Sequence, residues 1–181
     1  MKKSDIQSLP EYYGTYINLC GDMELMVAFE KSLDQIGTLD IEQIQRIGLR
    51  TYAKGKWTLN TLLQHITDWE RIWCYRTLVF ARLERSSIPP GHDENVMAEN
   101  SNASELNIIE IVDELKTVRR ATIAMFNSFD DQILKRNCNF SNNQMSVLAM
   151  GFNIVGHQLH HFNIITERYL PLDPVRSLEN T

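Results

Sequence analysis

The 181-residue sequence lacks the features that mark secreted or membrane-bound chains. Its three cysteines, Cys20, Cys74 and Cys138, are far apart and form no CxxC pair, so we expect no disulfide framework. We interpret each as a small buried residue rather than a nucleophile. No stretch approaches the roughly 18 uninterrupted apolar residues of a membrane span, and no apolar signal region follows the polar N-terminus. We therefore predict a cytoplasmic location and no membrane partner.

Positive charge is also scarce. The chain has 18 basic and 23 acidic residues, for a formal net charge of −5, and it shows no basic stripe. This balance argues against binding to nucleic acid and to an anionic membrane surface. The hydrophobic share of 43% is ordinary for a soluble globular protein. We expect one domain over residues 1–181, with its core at about residues 10–170.

Hydrophobic residues recur at intervals of three, four and seven in four long segments, which predicts four amphipathic helices. They cover about residues 10–36, 58–83, 104–129 and 145–169. In the first, the expected buried stripe includes Met26, Val27 and Glu30. Asp40 is expected to cap a short helix through Ile47, and Thr58 to cap the second long helix.

No segment shows a convincing strand pattern, and residues 130–143 are predicted to be a loop that contains at most one helical turn. An all-α four-helix bundle follows. The connection at about residues 84–103 is long enough for a crossover, but the periodicity alone does not choose the topology.

Two histidines, His157 and His161, are four residues apart in the fourth predicted helix. This spacing places both imidazoles on one helix face, where they can reach one metal ion. His160 is rotated away by about 100° and is not expected to join them. Asn153, one turn earlier, is a candidate for fixing the ring of His157.

His65 is the candidate for a third ligand, because it lies on the apolar stripe of the second predicted helix. A hydrogen-bonded core histidine is the alternative interpretation. Three imidazoles suit Zn, Ni, Cu or Fe and leave open coordination positions, as in catalytic sites. His92 lies in a loop, and both a solvated turn and a lid near the site are consistent with its position.

Two motifs resemble the DinB/YfiT-like superfamily. Residues 55–71 read GKWTLNTLLQHITDWER, and residues 156–170 read GHQLHHFNIITERYL. Residues 90–94 and 101–104 also fit one branch of that superfamily, although His92 stands where an aromatic residue is more usual. The resemblance covers about residues 10–170.

That resemblance implies a four-helix bundle of up-down-down-up type, often dimeric, with a metal site at His65, His157 and His161. Relatives include transferases for low-molecular-weight thiols and a thiol-dependent isomerase, and some are assigned as metal-dependent hydrolases. We therefore expect a homodimer and a divalent metal, most readily Zn or Ni, with Fe or Mn as further options.

The expected activity is transfer of a low-molecular-weight thiol to a small electrophilic substrate, because a metal holds a thiol as the reactive thiolate. A hydrolase using metal-bound water and a non-catalytic metal-binding stress-response protein are the alternatives. Asp68 is a weak catalytic candidate, equally consistent with a surface carboxylate paired with Arg71. Arg71 and Arg168 could bind an anionic cofactor, but we do not assign them that role.

Overall fold

The computed structural model describes residues 1–83, 91–140 and 143–175. Four long helices build the molecule, and shorter elements join them. In chain order the elements are α1 (Glu11–Ile17), α2 (Leu25–Gly37), α3 (Ile41–Ile47), α4 (Leu59–Arg82), α5 (Glu94–Glu99), α6 (Ile108–Phe126), α7 (Asp131–Leu134), β1 (Asn137–Phe140), β2 (Asn143–Ser146) and α8 (Val147–Ile164). A π-helical turn (Ile165–Tyr169) and a 3-10 turn (Leu170–Leu172) follow α8. None of the described helices is both long and apolar enough to cross a bilayer.

Helices α4 and α6 run parallel. Asn60, at the start of α4, donates to the carbonyl oxygen of Leu106 just before α6, and Arg82, at the end of α4, donates to Ser128 just after α6. Parallel neighbours cannot be joined by a tight turn, so the long connection that contains α5 is a crossover. Its residues 84–90, part of the predicted crossover, lie outside the described residues.

Helices α2 and α8 run opposite to that pair. Thr77 of α4 donates to Met150 of α8, whereas His65 lies beside His157, so α4 and α8 are antiparallel. Phe29 of α2 contacts Phe126 at the end of α6, which agrees with an antiparallel α2–α6 pair. The bundle is therefore up-down-down-up, which confirms the predicted fold class.

The first predicted helix is in fact two helices. α1 ends at Ile17, and α2 begins after Glu24, because residues 18–24 turn back along the N-terminus. There the amide of Leu25 donates to the carbonyl oxygen of Met1 at 2.9 Å. The break shifts the helical phase, so Val27 and Glu30 are exposed instead of buried. The prediction was wrong for Val27 and Glu30, whereas Met26 packs against the core as expected.

The loop predicted at residues 130–143 contains regular structure. α7 is a single helical turn. β1 pairs antiparallel with β2, with Asn137 opposite Ser146. The fourth helix begins at Val147, capped by Ser146, and its α-helical part ends at Ile164. The third begins at Ile108, capped by Asn107 rather than opening at the predicted Ser104.

A buried ion pair joins α4 and α6 in the core. Arg119 is fully buried and Glu70 is 2% exposed. Arg119 donates from Nε and Nη2 to the two carboxylate oxygens of Glu70, each at 2.8 Å. Thr122 donates to Glu70 Oε1 at 2.6 Å, and Arg119 Nη1 donates to Ser32 Oγ on α2. A bidentate charge-assisted pair with satisfied neighbours fixes how α2, α4 and α6 pack together.

Candidate metal centre

Three histidine side chains converge where α4 and α8 cross. Nε2 of His157 lies 3.2 Å from Nε2 of His65 and 3.0 Å from Nε2 of His161. One ring nitrogen from each residue lies within 4.8 Å of those of the other two. The three residues singled out from the sequence thus form one cluster.

This spacing fits a bound metal ion. Four-coordinate zinc holds histidine nitrogens at about 2.0–2.1 Å, which places two such donors about 3.3 Å apart. The Nε2 separations of 3.0 and 3.2 Å are close to that geometry. A donor set of three imidazoles without a thiolate suits Zn, Ni, Cu or Fe rather than Mg or Ca.

Burial keeps these imidazoles neutral. His65 and His161 are 5% and 8% exposed. Burial, the largest cause, lowers the pKa of His65 to about 4 and holds the pKa values of His157 and His161 far below the ordinary value. A neutral imidazole has one nitrogen lone pair free for a metal, so all three rings are in the ligating form at neutral pH.

Helix α1 closes one side of the cluster because α8 carries a glycine there. A Cβ at Gly156 would overlap the backbone carbonyl of Tyr16. The missing side chain lets the two backbones touch. The ring of Tyr16 then lies edge-on to His157, with ring centres 5.5 Å apart. Gly156 therefore positions α1 against the ring of His157.

The two sequence motifs meet on the other side of the cluster. The ring of Trp57, just before α4, lies 4.7 Å from the ring of His65. The hydroxyl of Tyr169, in the π-helical turn after α8, donates to the carbonyl oxygen of Trp57 at 2.5 Å. This hydrogen bond ties the end of α8 to the start of α4 and so fixes the separation of the ligands.

Two cavities border the histidines. The first, about 240 Å³, is called the polar cavity and reaches His161; its other lining residues include Tyr52, Lys56, Trp57, Glu94 and Asn95. The second, about 60 Å³, is called the aromatic cavity and reaches His157; it is lined by Tyr12, Tyr13, Tyr16, Trp69, Trp73, Glu94 and Asn153. Glu94, at the start of α5, lines both cavities. One cavity therefore borders the cluster at His161 and the other borders it at His157.

The other histidines stay outside the cluster. His160 is half-buried, with its ring 5.2 Å from that of Tyr16, which agrees with the prediction that it does not join His157 and His161. His92 is exposed and lies just before α5. Its neighbour Glu94 reaches the cluster region instead.

The predicted polar partners have other contacts. Asp68 accepts a hydrogen bond from Gln64 at 3.1 Å and lies 3.6 Å from Arg71. Its carboxylate is thus paired on its own helix. Arg71 also donates to Glu114 at 2.6 Å, and Arg168 is exposed. Asn153 is buried, but its Oδ1 has no hydrogen-bond partner among the described residues, so the expected bond to His157 is absent there.

The cysteines are inert, as expected. Cys20 and Cys138 are buried and Cys74 is half-buried, and all three are free. Burial raises the pKa values of Cys20 and Cys138 to about 11 and that of Cys74 to about 12. At neutral pH they are thiols, not the nucleophilic thiolates. Any sulfur nucleophile at the centre must come from a ligand.

The family model of the DinB superfamily matches residues 36–165. The chain belongs to the DinB superfamily. The matched range contains His65, His157 and His161 and extends from the end of α2 to the end of α8.

Among solved structures, the fold of this superfamily member is similar to that of YfiT from Bacillus subtilis. YfiT is described as a probable metal-dependent hydrolase with an unusual four-helix bundle topology. The TM-score is 0.64 and the identity 19%, over 89% of this chain and 88% of that chain. At this identity the likeness establishes the fold. A comparison with curated proteins finds no match.

Proposed function

We propose that His65, His157 and His161 bind a divalent metal ion, with Zn or Ni favoured over Fe or Mn. The observation that carries this proposal is the convergence of three neutral imidazoles, in which Nε2 of His157 lies 3.2 Å from that of His65 and 3.0 Å from that of His161. Three protein ligands leave at least one coordination position for a reactant, which is the arrangement of catalytic rather than structural sites.

The reaction proposed is transfer of a low-molecular-weight thiol to a small electrophile. A divalent metal bound there would lower the pKa of a thiol that it binds, so that the thiol is present as the reactive thiolate. Two separate cavities at His157 and His161 support a reaction between two organic molecules. The thiol sulfur forms a bond to the electrophilic carbon, the thiol proton passes to the carboxylate of Glu94, and the leaving group departs with its bonding electrons. Glu94 is suited to this step because it lines both cavities.

Hydrolysis is the second candidate. The description of YfiT as a probable metal-dependent hydrolase favours it. The same three histidines would serve, with water as the nucleophile and Glu94 again accepting the proton. A non-catalytic metal-binding protein is the third candidate. The two cavities beside the histidines argue against it, because they provide space for a substrate.

Metal analysis of the purified protein tests the centre. We expect about one ion per chain in the wild type, and a loss of at least tenfold in metal affinity for His65→Ala and His157→Ala. His160→Ala is the matched control, since it removes a neighbouring imidazole outside the cluster. Circular dichroism establishes that each variant is folded. Equal metal content in the wild type and both ligand variants would refute the proposal.

A reaction assay then separates the chemistries. The metal-loaded protein is mixed with a chromogenic electrophile and a panel of small thiols, and separately with chromogenic esters and amides. Turnover that requires a thiol supports the transferase. Turnover of an ester or amide without any thiol supports the hydrolase. The absence of both activities supports the non-catalytic protein.

We also propose that the protein acts on small molecules in the cytoplasm as a homodimer. The dimer rests on the family resemblance, and light scattering coupled to size-exclusion chromatography tests it. A mass near twice the 21.0 kDa of one chain is the expected result. A mass near that of one chain contradicts the dimer without affecting the metal centre.

A further inference from the structure

The clustered histidines lack the polar partners that usually orient metal-binding imidazoles. Such a ring almost always donates its second nitrogen to a carboxylate, a carbonyl or water, which fixes the plane of the ring. Among the described residues, the only hydrogen bond to the ring of His65 is the one with Nε2 of His157. Nδ1 of His161 is buried and has no partner there. Packing contacts therefore take over the orientation of these rings.

Two indole rings pack beside His65. The ring centre of Trp57 lies 4.7 Å from that of His65, with the planes tilted by 44°, and the ring centre of Trp69 lies 6.2 Å away. Both distances are in the range of about 4.5–7 Å that favours aromatic pairs. Trp69 is on α4 itself, one turn after His65. Trp57 precedes Thr58, the N-cap of α4, so its position depends on what holds the chain before the helix.

Tyr169 holds the chain at that point. Its hydroxyl donates to the carbonyl oxygen of Trp57 at 2.5 Å. The tyrosine is buried, and its ring lies edge-on to that of Tyr52, with ring centres 5.1 Å apart. Burial, the largest cause, raises the pKa of Tyr169 to about 12. The hydroxyl therefore keeps its proton at neutral pH and remains a donor to Trp57.

The hydroxyl reaches Trp57 from the π-helical turn that follows α8. Such a turn has i→i+5 hydrogen bonds, one residue more than in an α-helix, so it changes the direction in which the residues after it point. π-helical turns are rare and are frequent at functional sites. This one connects the helix of His157 and His161 with the residue that packs on His65.

We propose that Tyr169 is a positioning residue of the metal centre. Its hydroxyl, through the carbonyl of Trp57, holds the indole of Trp57 against His65 and so sets the plane of that imidazole. The consequence for metal binding rests on the proposed function. The orientation of His65 itself involves protein atoms only, so it can be measured in the metal-free protein.

The ring protons of His65 report this orientation, because the ring current of a nearby indole shifts their NMR signals. His65→Gln identifies these signals in the aromatic ¹H–¹³C spectrum. Tyr169→Phe removes the hydroxyl and keeps the ring. We expect it to move the His65 signals toward those of a histidine without an aromatic neighbour. Tyr52→Phe is the matched control, because the Tyr52 hydroxyl has no hydrogen bond among the described residues, and it should leave the signals unchanged.

Metal affinity is measured by titrating the metal-free protein with Zn²⁺ in competition with a chelator. Groups that orient metal ligands typically contribute about 10–100-fold to affinity. We expect a loss of about tenfold for Tyr169→Phe and no loss for Tyr52→Phe. With Co²⁺ in place of Zn²⁺, the visible absorption depends on the coordination geometry, and it should change in Tyr169→Phe only.

Urea denaturation of the metal-free variants separates positioning from a general effect on the fold. If Tyr169→Phe lowers the free energy of unfolding but keeps the Zn²⁺ affinity and the Co²⁺ spectrum of the wild type, the hydrogen bond stabilises the fold alone and the proposal is overturned.

Trp57→Leu tests the route through the indole. It should lower Zn²⁺ affinity at least as much as Tyr169→Phe does. In the double variant, Tyr169→Phe should add no further loss, because its hydroxyl acts through the indole that has been removed. Circular dichroism establishes that each variant is folded. Losses that simply add would overturn the route.

The positioning role and the proposed function fail separately. His65 signals that stay unchanged in Tyr169→Phe would overturn the positioning role, whether or not the wild type binds metal. A wild type that binds no metal, but whose His65 signals move in Tyr169→Phe, would retain the orientation of His65 by Tyr169 and lose the proposed function.

Discussion

Glu94 lines both cavities beside the histidine cluster. Replacing it with Gln keeps the shape and removes the proton acceptor. We expect Glu94→Gln to lower kcat by about 100-fold, because a positioned general base contributes at least that much, with metal content unchanged. Steady-state kinetics with the active thiol or ester substrate, beside metal analysis, measures this. Glu99→Gln, on the same short helix, is the control, and full activity of Glu94→Gln would exclude the role.

Burial of the histidines also makes the metal-free protein sensitive to acid. The unfolded chain binds protons at its histidines below the ordinary pKa of about 6.5, whereas folded His65 does so only near 4. The unfolded state therefore binds more protons between these values, and the free energy of unfolding falls as the pH falls.

Urea denaturation of metal-free protein at pH 7, 6 and 5 measures this dependence. We expect His65→Gln to reduce the slope, and the exposed His92→Gln to preserve it. A free energy of unfolding that does not change over this range would contradict the prediction.

The three clustered histidines were predicted from the sequence, but most of their surroundings were not. The four-residue spacing of His157 and His161 is a local property of a helix, so it is visible in the sequence. His65 was specified only by its apolar neighbours and the family motif. Asn153 was singled out by its position one turn before His157, whereas Glu94 lines the two cavities through long-range packing of α5, which no local pattern encodes.

The α4–α6 pair depends on a buried charge network. Glu70→Ala leaves the guanidinium of Arg119 buried without its partner, which costs about 3–5 kcal/mol of unfolding free energy. The exposed ion pair of Arg71 and Glu114 joins the same two helices at the surface, so Glu114→Ala is the control and should cost at most about 1 kcal/mol. Urea denaturation of the metal-free variants compares them.

The double replacement Glu70→Leu with Arg119→Met tests the interpretation. Since it removes both charges together, it should recover most of the stability lost in Glu70→Ala. Equal losses for the buried and the exposed substitutions would show that the network is not essential for packing.

The starts of α3 and α4 were predictable from the side chains that cap them. Asp40 accepts from the amide of Gln43, and Thr58 from that of Thr61, as expected from the residue types. The break at residues 18–24 was not predicted, because it depends on backbone pairing with the N-terminus. The β1–β2 hairpin was missed because four-residue polar strands carry little hydrophobic alternation.

A metal ion at the centre would join two of the four main helices. Since it binds only the folded chain with three ligands, ion at 100 times its dissociation constant adds about 2.7 kcal/mol of stability. For a chain of this size that raises Tm by about 5–11 °C. Thermal unfolding with and without metal checks this. Chelation should reverse the rise, and His65→Ala should show little of it; a similar rise in that variant would mean that the ion binds elsewhere.

The hydrophobic periodicity of the sequence did not determine the topology of the bundle. Contacts between the ends of the helices in the structure determine it. Asn60 and Leu106 meet at one end of the α4–α6 pair, and Arg82 and Ser128 meet at the other. Such pairings join residues more than 40 positions apart. The up-down-down-up order could therefore come from the family resemblance but not from any one segment of the sequence.

His157 and His161 are one helical turn apart, whereas His65 is 92 positions from His157. The first two donors exist as soon as α8 forms, but the third arrives only when the distant parts of the chain have come together. The number of protein ligands that an ion would find is thus a measure of how far folding has advanced. An ion bound early would have two imidazole ligands and more water ligands. Selection among metal ions would then take place a second time, when the finished fold supplies the third imidazole.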